Sequence, residues 1–403
     1  MKINSLRRLD YWIGIPLCFL FSILERFLCI ISRSNKINSD PPKKILFIKL
    51  SELGAIILAF PLLNSVRQRY PSARIFFVTF SKNKDIFSVF NGLVSQENVL
   101  GVSEDNLWSF AVDIIRLIVR LRREKIDIAF DLDFFSRFTA LFTYLSTAGK
   151  RIGFSRYTYE GLYRGSLGTH QVLYNPLNHI SRSYMSFLQV ISEGKKNSPE
   201  LGQQLNESAI VFPEYHSLEQ KKKEVKDWLR SIGVKTDAPL LLINPGEGVL
   251  PVREWPLDNF VALSKMLLAR GDMQLGIIGT QDAFVKADSL INALGSHRCF
   301  NLVGKTELAA LMELFCLAQG IISNDCGLAH LAMLTPIRKF IIFGPESPRV
   351  FGPLAEHTHV LYSEWPCSPC LSVLNHRNSA CKDNMCLRAI SPEQAYGVIR
   401  NNL

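Results

Sequence analysis

Residues 321–333 read IISNDCGLAHLAM. An apolar, strand-like run breaks into a small polar turn, and a helix-like run with an embedded histidine follows. A strand that ends this way points free backbone N–H groups at whatever lies above the next helix start, where the helix dipole favours an anion. Gly327 lets backbone approach closely, and Asp325 can accept from hydroxyls. The same letters also fit an ordinary helix start, with Asn324 or Asp325 capping and His330 merely packed. The surroundings of the run decide between these readings.

Working outward, the alternation continues in both directions. Downstream of residue 239, strands are expected at 240–244, 274–279, 320–323 and 339–343, with helices at 257–270, 284–294, 308–318 and 327–334. Upstream, KILFIKL at 44–50 is a buried strand, followed by a helix to about residue 70. Further strands fall at 73–80, 126–132 and 172–174, and helices at 107–123, 137–146 and 181–192. Strands alternating with helices imply parallel sheets covered on both faces. The fold class is therefore α/β, with two Rossmann-like doubly wound domains facing a cleft. The expected limits are 41–205 for the first domain and 239–403 for the second. The polar, Lys/Gln/Glu-rich stretch 206–238 reads as a linker.

In such sheets ligands bind beyond the carboxyl ends of the strands. Those loops hold Glu52 and Gly54, then Asp131-Leu132-Asp133, Asn244-Pro245-Gly246-Glu247-Gly248 and Arg253-Glu254-Trp255-Pro256. Gln281-Asp282, Asp325-Cys326-Gly327 and Gly344-Pro345-Glu346-Ser347 complete the set. Turns, carboxylates and a cation collected at one edge suit group transfer from a nucleotide sugar, where a diphosphate leaves and a hydroxyl needs a base.

With 403 residues, 47% hydrophobic and 20% charged, the chain can bury large cores and is not disordered. Its net charge of +10 is unevenly placed, with nine Lys/Arg against three Asp/Glu in the first fifty residues. These flank the apolar run 11–32, YWIGIPLCFLFSILERFLCIIS, which Glu25-Arg26 interrupts. A charge at mid-bilayer costs roughly 3 kcal/mol, so spanning is disfavoured. Residues 1–40 are instead expected to form an apolar, basic, membrane-associating helical segment. An in-plane helix or helical hairpin would keep Glu25 and Arg26 at the headgroups and the flanking cations on anionic lipid. A helix packed on the protein's own surface is the alternative. No small-x-small site follows to mark a cleaved signal peptide. A basic excess beside apolar residues suits lipid better than a duplex, so nucleic acid is not an expected partner.

Four of the nine cysteines cluster in a loop at 366–388. Cys367-x2-Cys370-x10-Cys381-x4-Cys386 has the spacing of a four-cysteine knuckle, a candidate structural zinc site. Reduced thiols or disulfides are the alternatives. Four thiolates leave no open position for catalysis by the metal.

Run by run, the chain resembles the lipopolysaccharide heptosyltransferase-like glycosyltransferases, glycosyltransferase family 9, built on the two-domain GT-B fold. The matching runs are KILFIKLSELGAIILAFPLLNSVRQRYPSARI, IDIAFDLDFFSR, KRIGF, INPGEGVLPVREWP, SNDCGLAHLA and FGPESP. The resemblance implies an inverting glycosyltransferase that moves a sugar, heptose from ADP-heptose, onto a lipid-linked or lipopolysaccharide-core saccharide without a required cofactor. It implies a cytoplasmic protein, peripheral or monotopic at the inner face of the cytoplasmic membrane. Arg253 stands where the family usually has a lysine that neutralises the donor diphosphate. Asp325, Cys326, Gly327 and Leu328 match the phosphate cradle with His330 beside it, and Asp282 lies near a ribose-binding carboxylate. Gly246 and Gly344 belong to the same donor-side loops.

One departure stands out. The family commonly has Gly-Asp after the first strand, with the aspartate as general base, and this chain has Gly54-Ala55. Alanine cannot accept a proton. Glu52 is the nearest substitute, followed by Asp131 and Asp133. The other reading is a catalytically impaired, membrane-associated glycan- or nucleotide-binding relative.

Overall fold

The computed structural model describes residues 3–31, 41–50, 52–154, 163–192, 210–246 and 250–403. The chain divides into two compact units, Met1–Phe212 and Pro213–Leu403.

The first unit opens with helices α1 (Ile3–Trp12) and α2 (Gly14–Ile31). Its strands are β1 (Lys44–Ile48), β2 (Arg74–Phe80), β3 (Val99–Val102), β4 (Ile128–Asp131), β5 (Lys150–Phe154) and β6 (His170–Val172). Between them lie α3 (Leu53–Leu58), α4 (Phe60–Arg69), α5 (Leu107–Glu124) and α6 (Arg137–Leu145), and α7 (Ile180–Met185) follows. The second unit begins with α8 (Glu219–Ser231), and its strands are β7 (Leu240–Asn244), β8 (Gln274–Ile277), β9 (Cys299–Asn301), β10 (Gly320–Asn324), β11 (Arg338–Ile342) and β12 (Thr358–Leu361). Its remaining helices are α9 (Leu257–Leu268), α10 (Phe284–Leu294), α11 (Leu308–Leu317), α12 (Gly327–Ala332), α13 (Pro348–Phe351), α14 (Met385–Arg388) and α15 (Pro392–Asn402).

Both sheets are parallel, ordered β3-β2-β1-β4-β5-β6 and β12-β11-β10-β7-β8-β9. Counted within its own unit, each therefore runs 3-2-1-4-5-6, the doubly wound order. The strand order reverses between β1 and β4 in one sheet and between β7 and β10 in the other, and these switch points are where ligands bind. Strands buried on both faces need apolar residues at every position. β1 and β7 meet this with Ile45, Leu46, Phe47 and Ile48, and with Leu240, Leu241, Leu242 and Ile243.

Residues 213–238, expected as linker, fold instead as part of the second unit. The Lys/Glu-rich letters of α8 are the solvent face of an amphipathic helix that buries Val225 and Leu229. The buried Glu313 of α11 anchors the approach to it, accepting from Tyr215 Oη at 2.8 Å, Ser217 Oγ at 2.6 Å and Leu218 N at 2.7 Å. Residues 206–209 lie outside the described residues.

The apolar segment likewise belongs to the first unit rather than standing apart. Asp10 accepts from the backbone N–H groups of Arg137 and Phe138 at 3.0 and 2.8 Å and pairs with Arg137 Nη1 at 3.1 Å. Glu25, expected at the headgroups, instead pairs with Arg151 at the start of β5, at 2.7 Å. The face of α2 turned to the protein mixes small and polar residues with one aromatic, Phe21, whose ring stands 5.6 Å from that of Tyr144. A Cβ at Gly14 would lie 2.7 Å from Arg137 Cβ, Cys18 Sγ reaches Arg137 O, and Ser22 Oγ accepts from Ser166 N at 2.9 Å. The opposite face exposes Leu17, Phe19, Leu20, Ile23, Leu24 and Phe27. This helix thus keeps its largest apolar side chains outward, where a globular surface helix would be polar. Among the described residues no helix is long and apolar enough to cross a membrane.

Candidate active site

At the switch point of the first sheet, the loops after β1 and β4 meet. Lys49 is almost fully buried, and its Nζ bonds Asp133 Oδ1 at 2.6 Å. Leu50 N donates to the other oxygen of Asp133 at 3.1 Å. Asp131 is buried and paired with Arg164, and it accepts from Thr139 Oγ1 at 3.2 Å. Burial pushes the Asp131 carboxyl up, Arg164 opposes this, and Asp133 adds to the rise. Both aspartates, expected as alternative bases, are therefore committed to internal cations.

Glu52 differs. Its side chain is 37% exposed, and Lys49 Nζ stands 3.9 Å from its carboxylate. Its backbone occupies the left-handed region, with φ +70°, immediately before α3. A non-glycine residue there costs of order 1 kcal/mol. Glu52 precedes the helix and makes no side-chain cap hydrogen bond. Ala55, where the family aspartate was expected, is buried in α3.

At the switch point of the second sheet, several of the residues expected on the donor side are tied together by hydrogen bonds. Asn244, ending β7, donates to Ser323 Oγ at 2.9 Å and Cys326 Sγ at 3.0 Å, while its Oδ1 accepts from Gly246 N at 3.2 Å. Asn324, ending β10, donates to Pro245 O and Gly246 O at 3.1 and 3.2 Å and accepts from Trp255 N at 3.0 Å. The buried Trp255, whose Nε1 bonds Ile390 O at 2.9 Å, fixes the loop that carries Arg253.

Arg253 pairs with Asp325 through Nη2 and stands 3.6 Å from Glu346 Oε2 through Nη1. Burial works against its charge, but Asp325 and Glu346 outweigh burial and hold its pKa above the ordinary value. Burial pushes the Glu346 carboxyl up to about 8, against the pull of Arg253 and with the help of Asp325. Sequence reasoning placed Glu346 in a site loop but gave it no role. The pairing of Arg253 with Asp325 also settles the capping question, because the residue preceding α12 is Cys326 and no side chain caps that helix. α12 has only six residues, fewer than expected, so the turn and Arg253 carry the site's positive potential more than any helix dipole does.

Gly327 and Leu328 open α12, and His330 is buried on it. Asp282 lies exposed on the turn after β8, and among the described residues no hydrogen bond joins it to the cluster. Glu247 and Gly248 lie outside the described residues. Gly344 serves packing: a Cβ there would stand 2.4 Å from Leu387 Cγ.

Leu387 belongs to the cysteine-rich loop, which proves to brace the site. Asn384 Nδ2 donates to Val252 O at 3.3 Å and Glu254 O at 2.7 Å, Leu371 N to Pro345 O at 2.8 Å, and Arg377 Nε to Glu346 Oε1 at 2.8 Å. The cysteines of this loop are free thiols, not disulfides. Among the described residues, no group of three or more His, Cys, Asp or Glu is placed to hold a metal. Cys370 contacts Ser379 Oγ at 3.7 Å, and Cys381 donates to Asp383 O at 2.9 Å. The thiols are near one another, since burial first and then Cys370, Cys367 and Cys381 push Cys386 up to about 11.

Two Rossmann-like units, each with its polar residues at the switch point, define a GT-B-type protein. The model of "Glycosyltransferase family 9 (heptosyltransferase)" matches residues 114–380, and the chain belongs to that family. Lipopolysaccharide heptosyltransferase 2 of Salmonella typhimurium is 28% identical over 131 residues, which is 32% of this chain and 37% of that protein. The chain thus matches little more than a third of the length of that relative. The solved ADP-heptose lps heptosyltransferase II of E. coli aligns with a TM-score of 0.67 at 20% identity, covering 89% of this chain and 98% of that one. E. coli heptosyltransferase WaaC with ADP aligns with a TM-score of 0.62 at 17% identity, covering 89% and 100%.

Proposed function

We propose that this chain is an inverting glycosyltransferase that moves heptose from ADP-heptose onto a lipid-linked, lipopolysaccharide-core saccharide. The observation that carries the reading is Arg253, held by buried carboxylates beside the Asp325–Gly327 turn at the switch point of the second sheet. A fixed guanidinium next to open backbone suits a diphosphate. In the reaction the acceptor hydroxyl oxygen bonds to the anomeric carbon as the bond from that carbon to the diphosphate breaks. Glu52 takes the hydroxyl proton, and Arg253 stabilises the charge that gathers on the leaving ADP.

Purified chain is expected to bind ADP more tightly than UDP in calorimetry and to release ADP from ADP-heptose only when a heptose-accepting lipid saccharide is added. Binding of ADP without transfer or donor hydrolysis across a broad acceptor panel supports the impaired-relative reading, which Ala55, buried in α3, favours. Failure to bind any nucleoside diphosphate refutes both.

The outward-apolar face of α2, with Arg26 on the same helix and Arg7 and Arg8 on the preceding α1, supports attachment to an anionic membrane surface. The spacing of Cys367, Cys370, Cys381 and Cys386 supports a structural zinc, to be tested by elemental analysis of protein purified without chelator. No step of the reaction runs through it.

A further inference from the structure

α5 repeats, more mildly, what α2 does. One side of it packs: Ile114, Leu117 and Leu121 are buried, Phe110 stands 5.2 Å from Phe138 of α6, and Arg122 Nε donates to Leu145 O at 2.7 Å. The opposite side carries Trp108, 80% exposed, Ile115, 63% exposed, and Val119, 45% exposed, seven and then four residues apart on one helical stripe. Arg116, Arg120 and Arg123 run along one edge of that stripe. A shallow depression of about 380 Å³, lined by Ile115, Arg116, Val119, Arg120, Arg123 and Glu124, follows it. The carboxylate of Glu124 bonds Lys44 at 2.7 Å, and Asp113, 3.9 Å from Arg116, offsets only part of the charge of the three arginines. α2 packs on α6, and α5 meets α6 through Phe110 and Arg122, so both helices that turn apolar side chains to solvent adjoin α6.

We propose that α5 is a second lipid-contacting element, and that the first unit meets an anionic bilayer through α2 and α5 together. The composition fits an interfacial helix: tryptophan and aliphatic side chains enter the headgroup boundary while arginines lay their stems along it and reach phosphates. The charge argues against a second copy of this chain as occupant. An antiparallel partner would set the arginine edge against its own image, whereas phospholipid headgroups complement it. The inference extends the membrane reading of α2 but stands on its own residues.

The test is co-sedimentation of the full chain with phosphatidylcholine vesicles, with and without phosphatidylglycerol, over a range of salt. One variant carries Trp108→Ser, Ile115→Ser and Val119→Ser; a second carries Arg116→Gln, Arg120→Gln and Arg123→Gln; a third changes α2 alone with Phe19→Ser, Leu20→Ser and Leu24→Ser. All positions are exposed, and unchanged melting temperatures will confirm folding. Both α5 variants are expected to partition less onto anionic vesicles, the arginine variant by roughly five-fold per charge at low salt and with a weaker salt dependence. Wild-type sedimentation by both α5 variants, with the α2 variant released, overturns the proposal and leaves the α2 reading intact. Absence of vesicle binding by the unaltered chain overturns both. A dimer in analytical ultracentrifugation that the serine variant of α5 dissociates assigns the stripe to a second copy instead.

Discussion

Oε1 of Glu346 accepts from Nε of Arg377 at 2.8 Å, tying the loop after β11 to the cysteine-rich loop through a carboxylate that is almost wholly buried. Its other oxygen faces Arg253 at 3.6 Å. With its pKa pushed up to about 8, Glu346 is largely protonated at neutral pH, so two guanidiniums and Asp325 leave the cluster net positive. As pH rises through about 8 the carboxylate ionises and that excess disappears. ADP affinity is therefore expected to fall between neutral pH and pH 9, and binding near pH 8 should take up protons. Calorimetry in buffers of different ionisation enthalpy measures both. Glu346→Gln should flatten the profile and keep the neutral-pH affinity; an unchanged profile in that variant contradicts the assignment. Stability carries the same sign. A carboxyl whose folded pKa lies above its unfolded value loses stability as pH rises through that interval, and Glu346→Gln should remove this loss.

Glu52 should separate catalysis from stability. Glu52→Gln is expected to lower transfer by about 10²- to 10⁴-fold, the usual contribution of a general base, with ADP affinity unchanged. Glu52→Gly should be equally inactive yet more stable by about 1 kcal/mol, since glycine adopts φ +70° without strain. Full transfer activity in Glu52→Gln moves the base elsewhere, and unchanged melting in Glu52→Gly shows that the backbone stores no strain.

Much of the donor-side cluster was legible because it sits where letters and topology coincide: Asn244 and Asp325 end or follow strands that are apolar at nearly every position. Four strands have no counterpart in the sequence expectations: β5, whose letters begin Lys150-Arg151, and three short ones. β3, β9 and β12 are sheet edges of three or four residues, and β9 and β12 include polar positions such as Asn301 and His359, so they carry no buried-strand signature. The inward face of α2 is hidden for a related reason, since a run rich in Leu and Phe says nothing about which side packs. Its partners Arg137 and Arg151 lie more than a hundred residues away. The bracing role of the cysteine-rich loop was missed because cysteine spacing drew attention from Asn384, Leu387 and Arg377, which make its contacts to the site.

That bracing can be broken with one methyl group. Gly344→Ala would place Cβ 2.4 Å from Leu387 Cγ, and such overpacking costs typically 1–3 kcal/mol. Leu387→Ala alone opens a cavity in the core of the second unit and should cost about 2–5 kcal/mol. In the double variant the added methyl meets a smaller side chain, so the loss should be clearly smaller than the sum of the two. Denaturant unfolding of all three variants gives the coupling. Strict additivity would show that Gly344 is not held to glycine by Leu387.

The carboxylate of Glu313 decides whether residues 213–218 belong to the second unit in solution. It is wholly buried, and three donors converge on it from Tyr215, Ser217 and Leu218. Burial, and then the bond to Glu313, holds the Tyr215 phenol above its ordinary pKa, so the proton stays on Tyr215 and the pair acts as donor and acceptor through the neutral range. Glu313→Leu removes the acceptor from all three donors at once and is expected to cost roughly 3 kcal/mol, since each buried unsatisfied group costs about 1–3 kcal/mol and exposed ones rehydrate. Hydrogen exchange should then show the amide of Leu218 losing protection together with the start of α8. Tyr215→Phe, which leaves two donors in place, should cost only about 1 kcal/mol. Equal protection at Leu218 in Glu313→Leu and the unaltered chain would mean that the segment is held by α8 alone.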